Sequence, residues 1–92
     1  MTYKVEFSDE ALKQLSNLRK GDRNAYLKCF DFVLAISTDP IAGIGKPERL
    51  KGFRDLHVYS RKVNDKDRFV YVIYEDKEKI EVISCVGHYL DH

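Results

Sequence analysis

Nowhere in its 92 residues does the chain hold an apolar run approaching the roughly 20 residues that a membrane-spanning helix needs. No membrane partner is expected. The opening Met1-Thr2-Tyr3-Lys4 is not followed by the apolar core of a signal peptide, so a cytoplasmic location is the expectation. Cysteine is scarce too. Cys29 and Cys85 stand far apart in apolar surroundings, without the paired spacing of a zinc site; two buried free thiols are expected, with no bridge, metal or cofactor. The chain also lacks a dominant charge, its formal net value being +1, so overall charge announces no nucleic-acid partner. Repeats, low-complexity tracts and linker-like stretches are missing as well. What remains is 43% hydrophobic and 34% charged, the balance of an ordinary folded domain. A single domain over residues 1–92 is expected.

The charge that is present is unevenly placed. Residues 46–68 hold eight Lys/Arg against four acids, and residues 75–92 two Lys against five acids. A local basic band can follow a phosphate backbone on a near-neutral molecule, because charges act over a Debye length of only about 8 Å at physiological salt. The bland reading is a solvated charged face.

Tyr3, Val5 and Phe7 alternate with polar residues, the period of a half-buried strand. Ser8 is a good helix cap, followed by Asp9 and Glu10 at the positive end of the helix dipole and by Ala11, Leu12, Leu15 and Leu18 at helical spacing. Gly21 stops this helix. Asp22 caps a second, whose Tyr26, Cys29, Phe30, Val33 and Ile36 make an apolar stripe ending before Asp39-Pro40. Residues 38–47, with Pro40, Gly43, Gly45 and Pro47, suit an irregular loop. Three β-rich runs follow, His57–Val63, Arg68–Glu75 and Lys79–Val86, joined by short turns that imply an antiparallel meander. The expectation is an α+β domain in β-α-α-β-β-β order, a two-helix hairpin packed on one face of a twisted antiparallel sheet.

Taken alone, the polar residues that stand out have unremarkable explanations. Glu48 in a charged loop is by default solvated, and Arg68 at a strand start is by default paired with a neighbour such as Asp67. His88 is by default an exposed tail histidine, and Tyr89 an aromatic capping the core. His57 reads as a strand-face histidine.

Four motifs in order change their weight. Gly43-Ile44-Gly45-Lys46-Pro47-Glu48-Arg49-Leu50-Lys51 resembles the signature loop of the Txe/YoeB toxins, within the RelE-like superfamily. Tyr59-Ser60-Arg61-Lys62-Val63 resembles that family's aromatic-Ser-Arg-Arg-aliphatic strand, Asp67-Arg68-Phe69-Val70-Tyr71 its His-Arg-Leu-Val-Tyr, and Gly87-His88-Tyr89 its His-Tyr close. The resemblance implies a toxin of a type II toxin–antitoxin system with the RelE-like, microbial ribonuclease-like fold. It further implies a ribosome-dependent messenger RNA endoribonuclease that works without a metal. Its implied partners are messenger RNA in the A site of the 70S ribosome, a cognate YefM/Phd-type antitoxin and a second copy in a homodimer.

Such a reaction drives the 2′-hydroxyl onto its own phosphate, and needs a base, a cation for the phosphate and an acid for the leaving oxygen. The resemblance gives these roles to Glu48, Arg68 and His88, with Tyr89 in support. Lys46, Lys51, Tyr59, Arg61 and Lys62 become expected RNA contacts. This sequence departs from the family at Tyr59, where tryptophan is common, at Lys62, where a second arginine is usual, and at Asp67, where histidine often precedes the arginine. Leu90-Asp91-His92 extend past the usual tyrosine close. Two rivals remain: a non-catalytic protein on the same scaffold, either a gyrase-targeting ParE-like or a degenerate toxin, and a nuclease pairing His57 with His88.

Overall fold

The computed structural model describes residues 2–87. The elements run β1 (Lys4–Phe7), α1 (Asp9–Gly21), α2 (Arg23–Thr38), β2 (Glu48–Arg49), β3 (His57–Lys62), β4 (Arg68–Tyr74) and β5 (Lys79–Ser84), with a short 3₁₀ turn at Glu75–Lys77. Both helix starts form as their sequences dictate. Ser8 Oγ accepts the Ala11 amide at 3.1 Å and Asp22 Oδ1 the Ala25 amide at 3.2 Å, each satisfying a donor that the first helical turn leaves unpaired. The helix dipole of α1 is met at both ends, by Asp9 and Glu10 in its first turn and by Arg19 and Lys20 in its last. No helix among the described residues is long and apolar enough to cross a membrane.

The fold class is the one expected, with two differences in the sheet. Its order is β1-β5-β4-β3-β2. The meander β3-β4-β5 is antiparallel, whereas β1 pairs with β5 in parallel, Lys4 opposite Lys79 and Phe7 opposite Val82. The sheet is therefore mixed. The cause lies in the helical hairpin: it returns the chain to the start of β1, where the Tyr3 amide donates to the Ser37 carbonyl at 2.7 Å, and the chain then crosses to the far edge. The second difference is β2, two residues that pair with β3 where only a loop exit was expected.

The helices cover one face of the sheet. Cys29, Phe32 and Ile36 of α2 pack there with Phe69, Tyr71, Ile80 and Val82. Phe32 occupies the core, and Phe30, expected in the apolar stripe, is 41% exposed. The run Phe30–Ile36 is apolar on several sides, so periodicity alone does not choose between its faces. What chooses is Gly45. A Cβ there would stand 2.6 Å from the Phe32 ring, so the missing side chain leaves the space that Phe32 fills.

Cys29 and Cys85 are free and buried, as expected. Their thiols meet, and the hydrogen bond to Cys29 together with burial pushes the Cys85 thiol up. On the opposite face a smaller cluster of Val58, Val70 and Val72, flanked by Leu50, Phe53, Tyr74 and Ile83, leaves the sheet partly open.

Candidate active site

Strand parity decides which side chains meet. Residues opposite one another in an antiparallel pair point to the same face, and Glu48 lies opposite Ser60, which lies opposite Val70. Val70 belongs to the cluster on the open face. Glu48 and Ser60 therefore share that face, and Arg68, two residues before Val70, joins them. Arg68 Nη1 donates to Ser60 Oγ at 3.4 Å. Ser60 is completely buried, a fixed post between the exposed Glu48 and the half-buried Arg68.

The ordinary explanation for Arg68 does not hold. Among the described residues the ion pairs are Lys4–Glu6, Lys62–Asp65 and Lys79–Glu6, none of which involves Arg68. Asp67 faces away from it. Asp67 is buried, with 6% of the residue exposed, and its carboxylate accepts the Gly87 amide at 2.9 Å and Asn64 Nδ2 at 3.2 Å. Arg68 in turn donates its amide to the Gly87 carbonyl at 3.1 Å. Both backbone groups of Gly87 are thus held by the Asp67-Arg68 pair, immediately before His88. His88 and Tyr89 themselves lie outside the described residues.

The expected RNA contacts divide into two groups. Lys46, Lys51 and Lys62 are exposed, and Lys62 stands opposite Arg68 on the open face. Arg61 is a correction. Parity turns it toward the helices, where it is fully buried and unavailable to an RNA backbone. Its guanidinium donates to the carbonyls of Ile44 (2.8 Å), Ala42 (2.8 Å) and Asp39 (3.2 Å), and its Nε to the Tyr71 hydroxyl (3.0 Å). Tyr71 passes the interaction on by donating to the Pro40 carbonyl at 2.6 Å. Burial pushes the Tyr71 hydroxyl up, against the opposing pull of Arg61, which keeps it a donor. This cation, which makes no ion pair among the described residues, fastens the loop between α2 and β2 and so sets where Glu48 enters the sheet.

Tyr59 also turns inward and is partly buried. Its ring lies on the helix side, stacked on Tyr71 with centroids 6.2 Å apart, where it serves the core. His57 shares that parity, opposite Ile73 at the far end of β3 from Lys62. It is therefore on the other face from Ser60 and Arg68; the partner expected for it in the rival reading, His88, lies outside the described residues.

The sequence reading missed Ser60, Asp67 and Tyr71. Ser60 and Arg61 lie in a strand buried on both faces, so alternation of polarity gave no sign of which faced where. Asp67 carried a usable signal: Asn64-Asp65-Lys66-Asp67 is a tight-turn sequence whose Asn and Asp side chains bond local amides, as Asn64 Oδ1 does with the Lys66 and Asp67 amides at 2.9 and 2.8 Å.

Two helices on one face of a five-stranded mixed sheet are also the fold seen in an archaeal RelE–RelB complex from Pyrococcus horikoshii, which superposes with a TM-score of 0.78 at 21% identity. A family model described as YoeB-like toxin of bacterial type II toxin–antitoxin system matches residues 7–89. The chain is 34% identical to Toxin YoeB of Synechocystis sp. over 87 residues, covering 94% of this chain and 96% of that protein. A YoeB dimer from Staphylococcus aureus superposes with a TM-score of 0.82 at 30% identity, covering 97% of this chain and 100% of that one. A heterotetrameric YoeB–YefM toxin–antitoxin complex from the same organism gives 0.79 at 29% identity, with the same coverage. This chain belongs to the YoeB-like toxins of bacterial type II toxin–antitoxin systems.

Proposed function

We propose that this toxin is a messenger RNA endoribonuclease acting on translating ribosomes in the cytoplasm. Toxins of the YoeB and RelE families are generally ribonucleases. The observation that carries the reading here is that the strand register puts Glu48 and Arg68 on one open face beside the buried Ser60, Glu48 opposite it and Arg68 donating to its hydroxyl. The roles follow from the chemistry. Glu48 takes the 2′-hydroxyl proton, and the exposed carboxylate is free to receive it. Arg68 holds two oxygens of the scissile phosphate in the fixed fork of its guanidinium and stabilises the charge that accumulates on them. His88 gives a proton to the departing 5′-oxygen, and Tyr89 assists at the phosphate. Proton transfer and charge stabilisation by these side chains supply the reaction without a metal.

The antitoxin partner is a YefM-type protein and the free toxin pairs as a homodimer, both carried over from the Staphylococcus aureus relatives. The deciding experiment is cleavage of a defined message in a purified translation system by wild type, Glu48→Ala and His88→Ala. Cuts inside the reading frame by wild type, lost in both variants, are expected. An intact message with folded wild type would sink the nuclease reading and leave a binding-only toxin.

A further inference from the structure

Three lysines from three elements surround one cleft at the end of β3. Lys28 comes from α2, Lys46 from the loop that enters β2, and Lys62 from the last position of β3; Gly45, Val63 and Asn64 complete the lining. No acid lines it. The convergence is imposed by the core. Phe32 lies one turn along α2 from Lys28, and it is against the Phe32 ring that Gly45 packs so closely that a Cβ would overlap it. The Lys62 amide donates to the Gly45 carbonyl at 2.8 Å. The loop is thus pinned between α2 and β3, and Lys46 is delivered between Lys28 and Lys62. It is held at a φ of +50°, a left-handed conformation that lysine adopts rarely.

Three like charges around one cleft repel one another until an anion enters. Among the described residues only Lys62 has a carboxylate partner, Asp65 at 3.3 Å, whose side chain is fully exposed. Such a solvent-bathed pair holds weakly and exchanges readily for another anion. Lys62 also stands opposite Arg68 in the β3–β4 register, so the cleft adjoins the residue assigned to the scissile phosphate.

We propose that Lys28, Lys46 and Lys62 form a second anion subsite, which holds an RNA phosphate neighbouring the one at Arg68. Lys28 is its distinguishing ligand, since it lies on α2, outside the strands that carry Glu48 and Arg68. The identity of the anion as RNA rests on the nuclease reading; the existence of the subsite does not.

The test is binding, not cleavage. A fluorescent 2′-O-methyl RNA oligonucleotide, which lacks the attacking hydroxyl, is titrated with wild type, Lys28→Gln and Lys77→Gln across a potassium chloride series. Lys77 lies in the turn after β4, at the opposite end of that strand from Arg68, and controls for loss of one charge anywhere. Lys28→Gln is expected to weaken binding several-fold and to flatten the plot of log affinity against log salt by about 0.7, the value for one phosphate contact on a single strand. Lys77→Gln should leave the slope as it is. Vacant ribosomes form a second arm: a loss seen only there assigns the phosphate to ribosomal RNA instead of the message. Wild-type affinity and slope for Lys28→Gln in both arms overturns the subsite, as does an equal loss in Lys77→Gln. A wild type that binds through Lys28 but cuts no message keeps the subsite and sinks the nuclease; normal cleavage with an indifferent Lys28 does the reverse.

Discussion

Replacing Arg61 by methionine removes a buried cation while keeping much of its stem volume, and separates two roles that the sequence makes equally plausible for this residue. In the fold Arg61 holds three loop carbonyls and the Tyr71 hydroxyl. A hydrogen bond to a charged group contributes about 1.5–3 kcal/mol net, but these four do not simply add. Asp39, Ala42 and Ile44 are exposed residues whose carbonyls can regain water once the loop loosens, and Tyr71 keeps its bond to Pro40. Methionine also avoids the cost of burying a charge. The loss is therefore expected near that of one or two charge-assisted hydrogen bonds, about 3 kcal/mol. In a domain of this size about 1 kcal/mol moves the melting temperature by about 4–8 °C, so a fall of about 12–24 °C is expected. Thermal unfolding followed by circular dichroism measures it, with Lys62→Met as the exposed comparison, expected within about 0.5 kcal/mol of wild type. If Arg61→Met melts like wild type but binds RNA with a shallower salt dependence, the assignment of Arg61 to the fold is wrong and an RNA-facing arginine takes its place.

Gly45→Ala places a methyl group on the Phe32 ring at a φ of +82°, and the combined overpacking and left-handed strain should cost about 2–4 kcal/mol by denaturant titration. A neutral result would show that the loop moves off α2 freely. Asp67→Ala strips an acceptor from the Gly87 amide and from Asn64; about 1–3 kcal/mol should be lost, with faster amide exchange at Gly87 than at Val72. Unchanged exchange at Gly87 would count against the anchoring role. In the translation assay His88→Gln should lower cleavage by roughly 10²-fold or more, with antitoxin binding kept; equal cleavage removes His88 from the mechanism. Arg68→Lys keeps the charge and loses the fork, so much of the rate should go, and a wild-type rate would mean that charge alone matters there.

The helical hairpin, the meander and both caps were legible because each has a local cause: Ser8 and Asp22 offer side-chain oxygens to orphan amides, and Gly21 ends a stripe with 3.6-residue spacing. The parallel pairing of β1 with β5 has no local cause. It depends on where the whole helical hairpin, Asp9 to Thr38, returns the chain, and no short window of sequence contains that information. The candidate site was proposed from four motifs in order, yet those motifs could not sort Arg61 from Lys62. They are adjacent, both cationic, and separated in function only by strand parity, which sends one inward to the loop carbonyls and the other outward beside Arg68.

That division explains how a chain with a net charge of +1 can still present a basic face. The helix side of the sheet carries the main core and uses Arg61 to hold the loop; the open side carries Glu48, Ser60, Lys62 and Arg68 beside the smaller apolar cluster of Val58, Val70 and Val72. The main core and the proposed chemistry thereby fall on opposite faces of the same strands, joined at the loop from Asp39 to Lys46. Substitutions on the open face should accordingly change activity with little effect on folding. Those at Arg61, Tyr71 or Gly45 should reach activity through the entry angle of β2, moving Glu48 relative to Arg68 while touching neither, and shifts of about 1 Å at a reacting group suffice to cost about 10²-fold in rate.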